Sequence, residues 1–289
     1  MTATRDASFQ ERSLALADTP AGSPLPDDAE THVDRLLGLL EAGTVRAAER
    51  HGDGSWHAVP WVKRGILLGF RVGRMVEMSI GGHHGEPRFA FFDKHVYTPR
   101  ALALADGVRV VPGGSAIRRG AYLAPGVVCM PPMYVNVGAY VGAGTMIDSH
   151  ALVGSCAQIG ARVHLSAAAQ IGGVLEPINA SPVVIEDDVI VGGGCGVYEG
   201  TVVRRGAVLA AGVVLTRGTP VYDLVHERVY RGSAEAPLEI PADAVVVPGA
   251  RRVRGAWGES QGISLQTAVI VKYRDDKTNQ STALEAWLR

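Results

Sequence analysis

The sequence predicts a mainly β protein, in which a left-handed parallel β-helix of hexapeptide repeats follows a small α-helical domain and precedes a C-terminal extension. Three observations predict this fold. An aliphatic residue, or once a cysteine, stands at every sixth position from Ile117 to Ile171, and the series resumes from Ile185 to Leu215. A second small or apolar residue stands two places before most of these positions, and glycines recur between them. A period of six residues is typical of a parallel β-helix.

Each repeat is predicted to form one short strand and one bend. Residues two apart on a strand share a face, so the two apolar positions of a unit point inward together. The glycines supply the bends, where the backbone takes angles that other residues adopt only at a cost. Three units would make one triangular coil, so the sixteen units predict roughly five coils stacked about 4.8 Å apart. This prism spans 108–216 and is interrupted by a loop at 172–184.

The segment before the prism divides into a tail and a helical domain. Residues 1–28 are polar and contain three prolines, so they are predicted to be a mobile tail. In the domain at 29–107, one helical face is formed by Val33, Leu36, Leu37 and Leu40. Gly43 suits the end of that helix, and a second helix is predicted within 61–72.

The segment after the prism, 217–289, is predicted to be a separate C-terminal domain. Within it, a strand is predicted at 263–275 and a short helix at 282–289. Earlier in the chain, the glycine- and histidine-containing segment 81–85 is predicted to be a loop, with its histidines solvated rather than bound to metal.

Composition and charge exclude several classes of partner. With 289 residues, 47% of them hydrophobic and 20% charged, the chain is an ordinary globular protein of two or three modules. Its formal net charge of −1 gives no global field that would attract nucleic acid or an anionic membrane. No apolar run reaches transmembrane length, and the first residues lack the apolar core of a signal peptide. The cytoplasm is therefore the expected location.

The outward strand positions predict an interface. They are apolar over two coils, where an exposed prism should be polar: Tyr122, Val128, Tyr134, Tyr140, Met146 and Leu152. An apolar patch of that size is typical of an interaction surface. Because a three-sided prism can pack about a three-fold axis, a homotrimer is predicted. The alternative is that the chain's own terminal segments cover these residues.

Three cysteines lie in the repeat, and none of them is placed at metal-ligand spacing. Cys129 and Cys195 occupy inward positions and are interpreted as small core residues. For Cys156 a nucleophilic role is the alternative to a structural one. We expect no metal and no tightly bound cofactor.

Three blocks of sequence carry a family resemblance. They are GTMIDSHALVGSCAQIG at 144–160, VHLSAAAQIGGVLEP at 163–177 and VVIEDDVIVGGGCGVYEG at 183–200. With these blocks the chain resembles the tetrahydrodipicolinate N-succinyltransferases over roughly residues 30–275. The resemblance implies an acyltransferase that moves a succinyl group from succinyl-CoA, its co-substrate, to tetrahydrodipicolinate. The product would be N-succinyl-2-amino-6-oxopimelate, an intermediate of diaminopimelate and lysine biosynthesis.

The resemblance also implies site residues. The family's substrate-binding arginine and aspartate fall on Arg109 and Asp148, and its catalytic glutamate falls on Glu199 in VYEG. The planar cation of Arg109 suits bidentate capture of a substrate carboxylate, and a surface ion pair is its alternative role. Asp148 could hold or deprotonate an amine, or serve only as a turn residue. Glu199 could assist proton transfer or orient the acyl group.

The implied reaction needs few catalytic groups from the protein. A thioester is already activated, so a positioned amine can attack it directly. Candidates for binding the phosphates of coenzyme A, with solvated surface charge as their alternative role, are Arg217, Arg251 and Lys272. If the loop at 172–184 adds no unit, coil counting places Asp148 and Glu199 on different faces, more than two coils apart. Sites between the subunits of the trimer are therefore predicted.

Two departures from the family's pattern keep alternatives open. His150 stands where a family member has tryptophan, and Gly194-Cys195-Gly196 replaces an arginine, a serine and a glutamate. One alternative is a related acyltransferase that uses acetyl-CoA, as in tabtoxin-like biosynthesis. A second is a zinc-dependent γ-carbonic anhydrase, but beside His150 and His164 the prism lacks a third suitable histidine. A third is a non-catalytic binding prism.

Overall fold

The computed structural model describes residues 2–79, 90–234 and 236–275. Within these ranges, a domain of three helices and four short strands is followed by a triangular prism of parallel strands and a C-terminal sheet. The loop predicted at 81–85 and the helix predicted at 282–289 lie outside the described residues. In the described part of the chain, no helix combines the length and the apolar character needed to cross a bilayer.

The N-terminal domain is built on the helices α1 (Thr2–Ala17), α2 (Ala29–Glu41) and α3 (Pro60–Val72). α2 and α3 confirm the two predicted helices. Just after α2, Gly43 has a φ of +69°, the left-handed conformation that closes a helix and that glycine adopts without strain. Two antiparallel strand pairs complete the domain: β1 (Ala48–Arg50) with β2 (Trp56–Ala58), and β3 (Met75–Glu77) with β4 (Phe92–Lys94).

The prediction of a mobile tail over 1–28 was wrong, because α1 contributes to the core of the N-terminal domain. Phe9 and Leu16 are buried in one apolar cluster with residues of α2 and α3. Ser13 is also buried, and its hydroxyl lies 2.7 Å from Nε2 of His32 on α2. The three α1 side chains lie on one helical face. Three such residues are too few to predict an amphipathic helix in a polar segment that also contains three prolines.

The prism has three faces, and successive strands occupy them in turn. The first face carries β5 (Arg109–Val110), β8 (Val128–Cys129), β11 (Met146–Ile147), β14 (His164–Leu165), β17 (Ile190–Val191) and β20 (Val208–Leu209). The second face carries β6 (Ala116–Ile117), β9 (Tyr134–Val135), β12 (Leu152–Val153), β15 (Gln170–Ile171), β18 (Gly196–Val197) and β21 (Val214–Leu215). The third face carries β7 (Tyr122–Leu123), β10 (Tyr140–Val141), β13 (Gln158–Ile159), β16 (Val184–Ile185), β19 (Val202–Val203) and β24 (Glu239–Ile240). Neighbouring strands within each prism face are parallel, so the predicted left-handed parallel β-helix is confirmed.

The prism contains six coils, one for each strand of its second and third faces, rather than the five predicted. Strands outside the repeat lengthen both ends: β5 precedes the first repeat residue, and β24 joins the third face after a long excursion. The loop after β15 adds no unit, since β15 on the second face is followed directly by β16 on the third.

The inward repeat residues form the core of the prism. Those of the second face stack in one column and are no more than 7% exposed: Ile117, Val135, Val153, Ile171, Val197 and Leu215. Burial of one such side chain contributes about 1.5–3 kcal/mol, so the three columns dominate the stability of the prism. Cys129 and Cys195 are buried in the same core, as predicted.

The N-terminal domain covers the third face of the prism. Tyr122 and Tyr140 project from that face and stack with 4.6 Å between their ring centroids. Arg46 lies 3.7 Å above the Tyr140 ring, and Gly43 packs against Tyr122. For these two tyrosines, cover by the chain itself was the correct alternative. The other four apolar outward residues lie on the first and second faces: Val128, Met146, Tyr134 and Leu152.

The C-terminal segment extends the first face. β22 (Val221–Asp223) pairs with β23 (Arg228–Tyr230), and β25 (Ala244–Arg252) pairs with β26 (Ser264–Tyr273) across the short helix α4 (Ala256–Ser260). β25 also pairs in parallel with β20, which joins this segment to the prism. β26 confirms the strand predicted at 263–275.

Candidate active site

Asp148 lies at the corner where the chain turns from the first face to the second. It follows β11 directly, and its backbone N–H donates to the Leu165 carbonyl of the next coil at 2.9 Å. One carboxylate oxygen, Oδ1, accepts a 2.7 Å hydrogen bond from the Ser149 amide. The left-handed residue of this corner is His150, with a φ of +63°, rather than Asp148. The carboxylate is therefore held at a fixed corner and is half-buried.

Arg109 lies on the same face as Asp148. Arg109 pairs with Val128, and Val128 pairs with Met146, two residues before Asp148. Two strand spacings therefore separate Arg109 from Met146, or about 10 Å along the prism axis. Arg109 is exposed. Arg109 and Asp148 thus lie on the same side of the prism, two strand spacings apart.

A cavity of about 610 Å³, the Glu199 cavity, opens at the corner between the second and third faces. Glu199 lines it in a left-handed conformation with a φ of +54°. Its Oε2 accepts a 3.0 Å hydrogen bond from the Arg217 amide, which orients the carboxylate. The loop after β15 contributes the other wall through residues that include Gly173, Glu176 and Pro177.

Two glycines make room for Tyr198 in the Glu199 cavity. A Cβ at Gly196 would lie 2.4 Å from the Tyr198 ring, and a Cβ at Gly172 would lie 2.7 Å from it. Tyr198 therefore rests against the backbone of two adjacent strands, β15 and β18. The departure at Gly194-Cys195-Gly196 thus shapes the wall beside Glu199, while Cys195 itself lies in the core.

The N-terminal domain holds the loop that forms this cavity wall. Lys63 of α3 has no exposed surface, and its Nζ donates to the carbonyl of Ala180 in the loop. Burial lowers the pKa of the Lys63 ammonium, against an opposing effect of the Cys156 thiol. Leu175 of the loop packs against the apolar core of the N-terminal domain. The sequence gives no signal for this role, because Lys63 and its partner lie far apart in the chain.

Asp148 and Glu199 are far apart within one chain. They follow β11 on the first face and β18 on the second face, which belong to the third and fifth coils. β18 is the seventh strand after β11, so the side chains lie on the order of 10 Å apart along the axis and at different corners. The predicted separation is confirmed. One reacting amine cannot contact both carboxylates of the same chain, because each contact requires about 3 Å.

The three cationic candidates lie apart from one another. Arg217 lines the Glu199 cavity. Arg251 and Lys272 lie near opposite ends of the β25–β26 pair, where Arg251 is opposite Leu265 and Lys272 is opposite Val245. Arg251 and Lys272 therefore cannot bind the same phosphate, and Arg217 is the candidate placed beside Glu199.

In the part of the chain that the structure describes, these residues are accompanied by neither a metal-binding cluster nor an exposed cysteine. Within the described ranges, no three His, Cys, Asp or Glu side chains are grouped so that they could hold a metal ion. Cys156 is fully buried, and burial raises the pKa of its thiol to about 12. A buried, protonated thiol is a poor nucleophile, which favours the structural interpretation of Cys156.

Comparison with known proteins finds similarity along nearly the whole chain. A family model described as Tetrahydrodipicolinate N-succinyltransferase N-terminal matches residues 6–72, and one described as Hexapeptide repeat of succinyl-transferase matches 182–217. A 2,3,4,5-tetrahydropyridine-2,6-dicarboxylate N-succinyltransferase of Polynucleobacter asymbioticus is 44% identical over 269 residues, which is 91% of either chain. The protein of that name from Azoarcus sp. is 42% identical and covers 98% of this chain and 96% of its own. Its counterpart in Nitrobacter winogradskyi is also 42% identical, over 89% of either chain.

Proposed function

The chain belongs to the tetrahydrodipicolinate N-succinyltransferase family, and we propose that it transfers the succinyl group of succinyl-CoA to the nitrogen of tetrahydrodipicolinate. The observation that carries the proposal is the identity of 44% over 91% of the chain with a curated relative named for this activity. The product, N-succinyl-2-amino-6-oxopimelate, belongs to diaminopimelate and lysine biosynthesis.

The reaction forms one amide bond and breaks one thioester bond. The nitrogen of the hydrated acceptor attacks the thioester carbonyl, the carbon–sulfur bond breaks, and coenzyme A leaves as its thiol with a proton. Acylation of the nitrogen then opens the ring. Because the thioester is already activated, the protein needs only to orient the two substrates, stabilise the developing oxyanion and move one proton.

The candidate residues divide this work. Arg109 would bind a carboxylate of the acceptor through its two-pronged guanidinium. Asp148, on the same face, would take the proton from the attacking nitrogen. Glu199 would orient the acyl group, and Arg217, which lines the same cavity, would bind a phosphate of coenzyme A.

We also propose a homotrimer with each site shared between two subunits. Two features support this arrangement. Asp148 and Glu199 lie at different corners of one prism and in different coils. Three apolar outward residues that remain partly exposed, Tyr134, Met146 and Leu152, lie on the two faces that meet at the Asp148 corner. A neighbouring subunit could cover these residues, and only another chain can supply a Glu199 to the site that holds Asp148.

The test is release of free thiol from succinyl-CoA and, in parallel, from acetyl-CoA, with 2-aminopimelate as a stable acceptor analogue. We expect release from succinyl-CoA to be at least about tenfold faster, because the succinyl group carries a free carboxylate that the acetyl group lacks and the site can recognise it. Faster release from acetyl-CoA would overturn the donor assignment, and release from neither would overturn the proposed function. Asp148→Asn should abolish turnover without changing the oligomeric mass measured by light scattering.

A further inference from the structure

A second cavity, of about 650 Å³, lies between the N-terminal domain and the prism, at the corner where the third face turns to the first. The Asp148 corner and the Glu199 corner are the other two corners of the prism, so this cavity lies away from both. We propose that it binds a free α-amino acid, whose carboxylate contacts Arg46 and whose ammonium contacts Asp187. We call it the Arg46 cavity.

Arg46 presents a fixed and incompletely satisfied cation to this cavity. Its guanidinium lies 3.7 Å above the Tyr140 ring and 5.5 Å from the ring centre of Trp56. Its Nε donates a 2.9 Å hydrogen bond to Oε1 of Gln158. Gln158 is only 1% exposed and donates from Nε2 to two backbone carbonyls, so its orientation is fixed. The two terminal nitrogens of Arg46 have no protein hydrogen-bond partner in the described ranges.

This arrangement suits a carboxylate. Burial lowers the pKa of the Arg46 guanidinium, against opposing effects of Tyr140 and Asp187, so the charge lies in a partly desolvated cleft. A desolvated cation with unpaired donors is unfavourable until an anion satisfies it. The two free nitrogens match the two oxygens of a carboxylate in a parallel pair of charge-assisted hydrogen bonds.

Asp187 supplies the complementary charge on the prism side of the cavity. Its Oδ1 accepts a 2.9 Å hydrogen bond from the Ala161 amide. Among the described residues, the one cation recorded near its Oδ2 is Arg162, at 3.8 Å, and the side chain is 49% exposed. This oxygen can therefore accept a hydrogen bond from a ligand ammonium without breaking a strong contact.

The other charged residues of the cavity are already paired. Glu186 accepts hydrogen bonds from Trp56 Nε1, from Arg204 and from the Arg205 amide, and Arg50 lies 3.7 Å from it. The Arg205 side chain lies 3.2 Å from Asp188. The Arg50 and Arg205 side chains are also exposed to solvent, whereas Arg46 is partly buried. Among the described residues of the lining, Arg46 and the Oδ2 atom of Asp187 are thus the charges best placed to bind a zwitterion, and the stacked Tyr122 and Tyr140 rings offer an apolar surface for its side chain.

The test measures binding to the intact protein in the absence of coenzyme A, by calorimetry and by thermal shift. The probes are glycine, L-alanine, L-glutamate, L-lysine and L-phenylalanine, each up to about 10 mM, a range that detects even weak ligand linkage. We expect at least one to bind and to raise the melting temperature. The carboxamide and the des-amino analogue of that probe should each bind at least about tenfold more weakly, because each lacks one charged contact.

Three variants locate the site. Arg46→Met and Asp187→Asn should each weaken binding at least about tenfold, while Arg119→Met, a half-buried arginine outside the cavity, should leave it unchanged. Asp187→Asn changes a half-exposed side chain, so it keeps the test valid if Arg46→Met fails to fold. No binding by any probe, or binding that both variants leave intact, would overturn the proposal.

The result of the amino-acid binding test can be distinguished from the result of the acyl-transfer test. Asp148→Asn, which removes turnover, should bind the amino acid as the unsubstituted protein does, because Asp148 lies at another corner. Acyl transfer without amino-acid binding would refute this inference alone. A change of oligomeric mass in Arg46→Met, without amino-acid binding, would likewise overturn it and assign the cavity to a contact between subunits.

Discussion

Subunits that carry Asp148→Asn and subunits that carry Glu199→Gln should form active mixed trimers, although each variant alone is inactive. Within one chain the two carboxylates lie at different corners, and six strands lie between β11 and β18. At three strands to a coil, this is on the order of 10 Å along the axis, too far for Asp148 to contact the attacking nitrogen while Glu199 contacts the acyl group that is bonding to it. Each site must then combine Asp148 of one subunit with Glu199 of the next.

The expected recovery follows from counting interfaces. In an equal and random mixture, a site is intact only when the Glu199→Gln subunit supplies Asp148 and the Asp148→Asn subunit supplies Glu199. That combination occurs at about one interface in four, so the mixture should regain about a quarter of the unsubstituted activity. Alone, Asp148→Asn removes the proposed general base and should lower turnover by about 10²- to 10⁴-fold. Glu199→Gln should lower turnover because the acyl group is no longer oriented.

The assay co-refolds the two variants, verifies mixed trimers by native mass spectrometry and measures thiol release from succinyl-CoA. Mixing after folding, without subunit exchange, is the matched control and should leave activity at the level of the parents. Verified mixed trimers that are as inactive as the parents would refute the shared site.

Three further predictions concern the loop, the cavity wall and the C-terminal sheet. Lys63→Met should raise KM for the acyl donor about tenfold with little change in melting temperature, because it removes the hydrogen bond to Ala180 but fills the same space; an unchanged KM would contradict this role. Gly196→Ala should displace Tyr198 and also raise KM, whereas an unchanged KM would mean that the ring does not contact substrate. Asp223 accepts hydrogen bonds from Tyr273 at 2.7 Å and from His226, and although burial opposes ionisation, these contacts lower its pKa to about 2. Because the folded pKa lies below the unfolded value, Asp223→Asn should cost about 2 kcal/mol of unfolding free energy above about pH 4, and about half of that near pH 3. Chemical denaturation from pH 3 to 7 measures this difference, and a pH-independent cost would contradict it.

The prism could be predicted because its core is periodic. Each inward residue, such as Ile147 or Val153, follows from local strand geometry and needs no knowledge of distant residues. α1 was not predicted, because the face formed by Phe9, Ser13 and Leu16 becomes apparent only when it packs against α2 and α3. Similarly, six coils form instead of five because β24 joins the third face from outside the repeat.

The candidate site likewise contains residues that the sequence predicts and contacts that depend on tertiary packing. Arg109, Asp148 and Glu199 were predicted from the family resemblance, and coil counting alone was enough to separate the last two. The contact of Lys63 with Ala180 was not predictable, because residues of separate domains meet only through tertiary packing. The same holds for Arg46 on Tyr140, which lie far apart in sequence and have no shared periodicity.

Because the prism is built from whole strands, the axial offset between the Asp148 and Glu199 corners can change only in fixed steps. The loop after β15 lengthens the chain without adding a strand, so insertions at corners leave the height of Glu199 above Asp148 unchanged. Only a gain or loss of a complete coil between β11 and β18 would change that height while keeping both residues on their faces, and the step would be about 4.8 Å. Small insertions and deletions at the corners therefore do not change the axial distance between Asp148 and Glu199. If the proposed site is shared, a change of one coil would keep it intact only if neighbouring subunits also shifted by one coil along the axis.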